Sequence, residues 1–429
     1  MGVNKSKATL LLISDDAYVQ HLTLQKKDQL LLDLFWLGFI TYTLGYAVSQ
    51  TTYVSWIICQ AFQSLGIISM LLAAFSQIQF RFDNFYLRFL YSFYVLWLIS
   101  IMIRGFTLDY LLIKIMLFDA WFGALLYFAP LLLLFPRNLF FYKRLFDAIL
   151  VLGLAFLFLT VLFARQIVFA DFENLVSRGI VEIFSRTLAI PSAFVLLTFI
   201  YHTKKRKLIS LVIVAVPILL AIIKARRGLI LMSVLPLMIA YVFYLYESKA
   251  KTLVVIVTVL IFSVMVGYGL SVYEESAIFS KLKDRGLEDT RSTVEDCFYR
   301  DMSTLDWLIG KGLLGQYYCP GIDQGNTSGY RPVIETDYLQ TILKGGIVSF
   351  VLMLLITLPA AFLGLFRSKN LFAKAAGAWI VLALINMYPS SVNTFTLNYL
   401  LVWISVGICY SKAIRDLPDE VLKLYFNPT

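Results

Sequence analysis

The sequence predicts an all-α polytopic membrane protein with about twelve transmembrane helices and one large polar loop. Three observations predict it. The chain is 60% hydrophobic and only 15% charged, where soluble domains carry about 25% charged residues. Its mean hydropathy is +0.79. Apolar stretches near the roughly 20 residues that a helical span needs recur along its length.

In chain order, residues 1–28 hold lysines and a short apolar run, Ala8 to Ile13, broken by Asp15 and Asp16. They read as a cytoplasmic amphipathic segment and not as a cleaved signal peptide. Nine spans are expected within 29–271, at 29–47, 53–75, 85–103, 113–135, 146–164, 183–201, 207–223, 228–246 and 252–271. Residues 272–339 form the large loop, followed by spans at 340–366, 371–388 and 395–412 and a tail over 413–429.

Lys and Arg accumulate in every second connection: Lys26 and Lys27, Arg81 and Arg88, Arg137 to Arg144, Lys204 to Lys207, Lys249 and Lys251, Arg367 and Lys369, Lys412 and Arg415. Positive charge in short loops marks the cytoplasmic side. Both termini are therefore expected inside and the large loop outside. The net charge of +10 is spent on topology, so nucleic-acid binding is not expected. Two distant histidines, His21 and His202, and four cysteines without metal-like spacing argue against a metal site. Cys297 and Cys319 both lie in the outward loop, where a disulfide is permitted if their Cα atoms are near enough.

Cations that break the positive-inside trend carry the functional signal. Lys224-Ala225-Arg226-Arg227-Gly228 sits at an outward turn, and Arg104, Arg165, Arg178 and Arg186 fall on or near the outer side. Such charges face a cavity or partner, or else snorkel to headgroups. The loop from Val272 to Val333 is acidic by contrast, with seven basic and ten acidic residues. No phosphate-cradling Gly-rich loop, dinucleotide fingerprint or nucleophile elbow is present.

Arginine stays charged and matches phosphate oxygens with a planar fork of donors. A cluster of them suits a lipid-linked pyrophosphate, with Arg186, Arg226, Arg227 and Arg300 as candidate ligands and Arg291 as a candidate catalytic cation. Glu335 and Asp337, at the mouth of the next span, are candidate proton acceptors. In the bland alternative, the loop charges are simply solvated and Glu335 favours the following helix N-terminus. Transfer of a sugar from a lipid pyrophosphate fits the first reading, with cations stabilising the leaving group and no metal or other cofactor required.

Three motifs then resemble the O-antigen polymerase and ligase superfamily of integral membrane glycosyltransferases. Lys224-Ala225-Arg226-Arg227-Gly228-Leu229-Ile230 is similar to its basic turn opening a span. Asp289-Thr290-Arg291, followed by Trp307-Leu308-Ile309-Gly310-Lys311-Gly312-Leu313, is similar to its arginine and Gly-x-Gly pattern. Glu335-Thr336-Asp337-Tyr338-Leu339-Gln340, followed by Lys344-Gly345-Gly346-Ile347, is similar to its His-Asn-x-Tyr-Leu-Gln and Gly-Ile re-entry pattern.

Glu335 stands where ligases carry histidine, which favours a polymerase over a ligase. The resemblance implies a GT-C-like membrane glycosyltransferase at the periplasmic face of the bacterial inner membrane. Its donor and acceptor would be glycans on undecaprenyl pyrophosphate, with Trp307 and Tyr338 as candidate sugar contacts. Membrane lipids, a chain-length regulator and a flippase are the expected partners. The rival from another class is a flippase or transporter, although the chain lacks an evident internal repeat.

Overall fold

The computed structural model describes residues 25–248 and 291–427, apart from residues 52, 81, 83, 171–173 and 323–327; between 249 and 290 it describes Ile256 and Ser263 alone. The ninth predicted span, the first part of the predicted loop and most of the N-terminal segment lie outside the described residues.

The described chain is helical. In order come α1 (Lys26–Ser49), α2 (Trp56–Gln77), α3 (Phe85–Arg104), α4 (Tyr110–Phe118), a 3-10 helix (Ala124–Leu134), α5 (Leu139–Leu162), α6 (Ala164–Ile167) and α7 (Leu175–Phe184). A π-helical turn (Ser185–Ala189) and a 3-10 turn (Ile190–Ser192) lead into α8 (Ala193–Leu197), followed by α9 (Lys204–Ile223) and α10 (Arg227–Glu247). Then follow α11 (Ser292–Asp301), α12 (Thr304–Ile309), β1 (Tyr317–Tyr318), β2 (Tyr330–Arg331), α13 (Asp337–Phe366), α14 (Leu371–Asn386), α15 (Leu397–Tyr410), α16 (Lys412–Asp416) and α17 (Asp419–Phe426). Among the described residues, eight helical segments are long and apolar enough to cross a membrane: α1, α2, α3, α5, the run Leu175–Leu197, α9, α10 and α13.

Three expected spans take another form. The stretch 113–135 is no continuous helix. The Asp119 carboxylate accepts the backbone N–H groups of Trp121 and Phe122, which turns the chain before the 3-10 helix that contains Pro130. A 3-10 helix rises roughly 2 Å per residue, so eleven residues reach about 22 Å, against about 16 Å for an α-helix. The other two, α14 and α15, have 16 and 14 residues, short of a full span. Every residue of α15 is buried, and a helix enclosed by protein has no hydrocarbon thickness to match.

Small residues set the closest packing. A Cβ on Gly66 would come 2.6 Å from the Gly38 carbonyl oxygen, so α1 and α2 form a tight hairpin by backbone approach. The basic connections gather at one end of the bundle. There Arg144 and Arg206 pair with Asp33 and Asp147, and Asn370 donates to the carbonyls of Ile414 and Leu417. The predicted tail folds back as α16 and α17: Asp419 takes the Tyr201 hydroxyl and the Leu371 N–H, while Leu422 and Phe426 are buried.

At the opposite end the described part of the polar loop packs onto the helices. Val294, Phe298, Met302, Tyr317 and Cys319 share a small core with Leu339, Ile342 and Leu343 of α13. Cys297 and Cys319 are disulfide-bonded, with Cα atoms 5.3 Å apart. Two glycine motifs meet there. Helix α13 is broken at Gly346, whose φ is +70°, and the loop enters the break: Lys311 N–H donates to Leu343 O at 2.7 Å and Gly312 N–H to Lys344 O at 2.9 Å. Arg104 clamps the joint, its Nη1 donating to Gly310 O at 2.8 Å. Arg104 thus has a tertiary contact although, like Arg165 at α6, it is exposed.

Candidate active site

A cavity of about 410 Å³ opens at the loop end of the bundle. Four separate parts of the chain build it, together with Trp121 and Phe122 beyond the Asp119 turn. The first is α7 with its π-helical continuation. Arg178, Glu182 and Arg186 are four residues apart and so share a face, and all three line the cavity. Arg178 and Arg186 are buried. Glu182 stands between two arginines: Oε1 is 2.5 Å from Arg186 Nη2 and Oε2 is 3.2 Å from Arg226 Nη2. The Arg186 guanidinium also lies over the Trp121 ring, 5.0 Å from its centroid.

The second part is the basic turn between α9 and α10. Ala225 takes φ +49°, a left-handed conformation that costs an L-residue about 1–2 kcal/mol. The Arg226 N–H donates to Ala221 O at 2.8 Å, and the reversal sends neighbouring cations in different directions. Arg226 and Arg227 line the cavity. Lys224 is buried and donates to Ala170 O at 2.8 Å. Of the basic triplet, two members belong to the cavity.

The loop supplies the third part. Arg291 precedes α11, and its Nε lies 3.6 Å from Glu335 Oε2; both line the cavity. The fourth is the strap 387–393 between α14 and α15, whose Pro389, Ser390 and Ser391 form one wall. Arg291 grips this strap, Nη1 donating to Tyr388 O at 3.1 Å and Nη2 to Pro389 O at 2.8 Å. Gly228 sits where a Cβ would meet Pro389 O at 2.9 Å, so the turn and the strap touch.

Five arginines thus face two glutamates, a net charge of +3 in one concavity. Among the described residues, the buried Nε atoms of Arg178, Arg186 and Arg226 find no acceptor. Buried donors normally have partners, and the arrangement suits a polyanion whose oxygens take several guanidinium forks. Glu335 is the accessible carboxylate, with 59% of its side chain exposed.

The predicted site residues divide accordingly. Glu335, Arg291, Arg186, Arg226 and Arg227 come together. Asp337 does not join them: it is buried, and Oδ2 accepts the N–H groups of Val392 and Asn393 at 3.0 and 2.9 Å. Arg300 also stays apart, because its exposed side chain folds back to Asp296 O at 3.2 Å. Trp307 is a packing residue of the loop core, stacked on Tyr299 at 6.0 Å and edge-on to Phe298. Tyr338 packs against Phe350. Neither Trp307 nor Tyr338 lines the cavity. Sequence reasoning missed Glu182 and Trp121. The four-residue ladder Arg178, Glu182, Arg186 in an apolar stretch was the available signal for Glu182; Trp121, beyond a helix break, had none.

Compared with family models, with characterised proteins and with solved structures, the chain matches none of them.

Proposed function

We propose that the protein extends a glycan carried on undecaprenyl pyrophosphate, as a polymerase of lipid-linked oligosaccharide repeats. The observation that carries this reading is the convergence of Arg178, Arg186, Arg226, Arg227 and Arg291 on one cavity beside the accessible carboxylate of Glu335. The chain would have a GT-C-like architecture in the bacterial inner membrane, with both termini cytoplasmic and the cavity facing the periplasm.

In the reaction, the arginines hold the pyrophosphate of the donor. A hydroxyl at the non-reducing end of the acceptor repeat attacks the donor's anomeric carbon with inversion. The bond from that carbon to the pyrophosphate oxygen breaks, and Glu335 takes the hydroxyl proton. Undecaprenyl pyrophosphate leaves with its negative charge spread over guanidinium groups positioned in advance, the electrostatic stabilisation that contributes most in such sites.

The test is chain extension by purified protein in proteoliposomes supplied with a lipid-linked repeat. A ladder of lipid-linked products supports polymerisation. Transfer to an acceptor that carries no lipid pyrophosphate would make the protein a ligase, and movement of the lipid-linked repeat without a new glycosidic bond would make it a transporter.

A further inference from the structure

Asp337 is the one predicted catalytic residue that the fold withdraws from the cavity, and its surroundings give it another task. It stands in the first turn of α13, where a carboxylate normally serves its own helix. Here Oδ2 reaches instead to the backbone of the strap, accepting Val392 N–H at 3.0 Å and Asn393 N–H at 2.9 Å. The Asp337 N–H donates in turn to Met387 O at 2.9 Å, and Asn393 Nδ2 donates to Thr341 Oγ1 at 2.7 Å. Both ends of the strap are therefore fastened to the start of α13.

Between those fastenings, the carbonyls of Tyr388 and Pro389 receive the two terminal nitrogens of Arg291. The strap also divides two spaces. Pro389, Ser390 and Ser391 wall the arginine cavity, while Ser391 and Asn393 also line a chamber of about 40 Å³ on the Asp337 side. Trp121 and Phe122 line both spaces. Asp337 touches only the chamber, and its Oδ1 has no partner among the described residues.

We propose that Asp337 is a positioning residue: it fixes the strap, and through the strap's carbonyls it aims the Arg291 guanidinium at the anion in the cavity. This deepens the proposed function and rests on the cavity being a pyrophosphate site. Two backbone N–H groups need an acceptor oxygen and not a negative charge, so asparagine can serve in its place. A proton acceptor could not be replaced in that way.

Inorganic pyrophosphate, titrated calorimetrically into the purified full chain, is the probe. Asp337→Asn should bind it within about threefold of the parent, while Asp337→Ala and Arg291→Ala should each weaken binding about tenfold or more. Because the two residues act through one element, the double variant should bind no worse than the weaker single one. In the chain-extension assay, Asp337→Asn should keep the parent's pH profile. Additive losses in the double variant, or Asp337→Asn as impaired as Asp337→Ala, would overturn the assignment.

A second readout is independent of any ligand. Cys59 and Cys409 are buried and Cys297 is bonded to Cys319, so Ser391→Cys reports on the strap through maleimide labelling. In that background Asp337→Ala should speed labelling severalfold and Asp337→Asn should not. Equal labelling of all three proteins overturns the anchoring role. A parent that binds no pyrophosphate but shows the labelling difference keeps the anchor and rejects the proposed function.

Discussion

Gly310 and Gly346 meet backbone to backbone: a Cβ on Gly310 would lie 2.5 Å from the Gly346 nitrogen, and one on Gly346 would lie 2.1 Å from Leu308 O. Both residues have φ near +70°, a region that L side chains adopt only with strain. This contact seats the polar loop on the broken helix α13, and so places Arg291 and Glu335 opposite the arginines of α7 and α10. Gly346→Ala should unseat the loop without unfolding the bundle. The expected result is new proteolytic cleavage within residues 310–335 at an unchanged helical circular dichroism signal. Protease resistance equal to the parent would count against the joint.

Much of this joint was legible in the sequence, though not its purpose. The motifs Ile309-Gly310-Lys311-Gly312 and Lys344-Gly345-Gly346-Ile347 stand out because glycine and lysine are unexpected beside apolar runs. That each is the other's partner is a tertiary fact that no local spacing encodes. The same limit explains Asp337. Two residues from Glu335, it looks equivalent on paper, but Glu335 lies in the loop before the helix and Asp337 is the first residue of α13, beyond an extended N-cap at Thr336. One carboxylate reaches the cavity and the other the strap. The span at 113–135 failed for a local reason: hydropathy does not register the turn that Asp119 makes with the N–H groups of Trp121 and Phe122.

Glu182 holds Arg186 and Arg226 at once, and the side chain of Arg186 is only 8% exposed. Removing one partner of a buried pair strands the other charge, at a cost of about 3 kcal/mol or more. Glu182→Ala should therefore lower the melting temperature by several degrees, and Glu182→Gln, which keeps a hydrogen-bond acceptor, should lower it less. A melting temperature unchanged in Glu182→Ala would show that the ladder does not stabilise the bundle.

The disulfide joins α11 to the residue that follows β1, across a sequence separation of 22 residues. Closing a loop of that length restricts the unfolded chain by about 3 kcal/mol. The bond belongs to the small core that holds Phe298 and Tyr317. Cys297→Ser with Cys319→Ser should loosen the loop, seen as faster amide exchange over 292–320, with exchange in α1 and α2 unaffected. Identical exchange in both proteins would mean that the core alone holds the loop.

His202 gives the opposite end of the molecule a pH dependence. It lies between the runs Leu175–Leu197 and Lys204–Ile223, with Nε2 3.0 Å from Thr198 Oγ1 and its ring edge-on to Phe146. Burial pushes its pKa down to about 3, with Arg206 and Lys207 adding to the effect. The folded state therefore holds the neutral ring. Its stabilisation is complete above the unfolded value of about 6.5 and is lost as pH falls from there towards 3, at about 1.4 kcal/mol per unit. Melting temperatures measured between pH 7.5 and 5 should fall less steeply for His202→Gln than for the parent. Parallel slopes would assign the acid sensitivity to other groups.

Glu335 and Arg227 separate chemistry from binding within the one cavity. Glu335 is the exposed carboxylate beside Arg291, and Arg227 lines the wall of the same cavity. If Glu335 accepts the acceptor's proton, Glu335→Gln should cut kcat for chain extension by about 10²–10⁴-fold. Pyrophosphate binding should hold or tighten in the same variant, because a negative charge has left an anion site. Arg227→Ala should do the reverse, weakening pyrophosphate binding and raising KM for the donor. Its loss should shrink as salt rises, since partly exposed charges are screened. A Glu335→Gln variant with normal kcat would discard Glu335 as the base, and one with weakened pyrophosphate binding would show that it orients Arg291 instead.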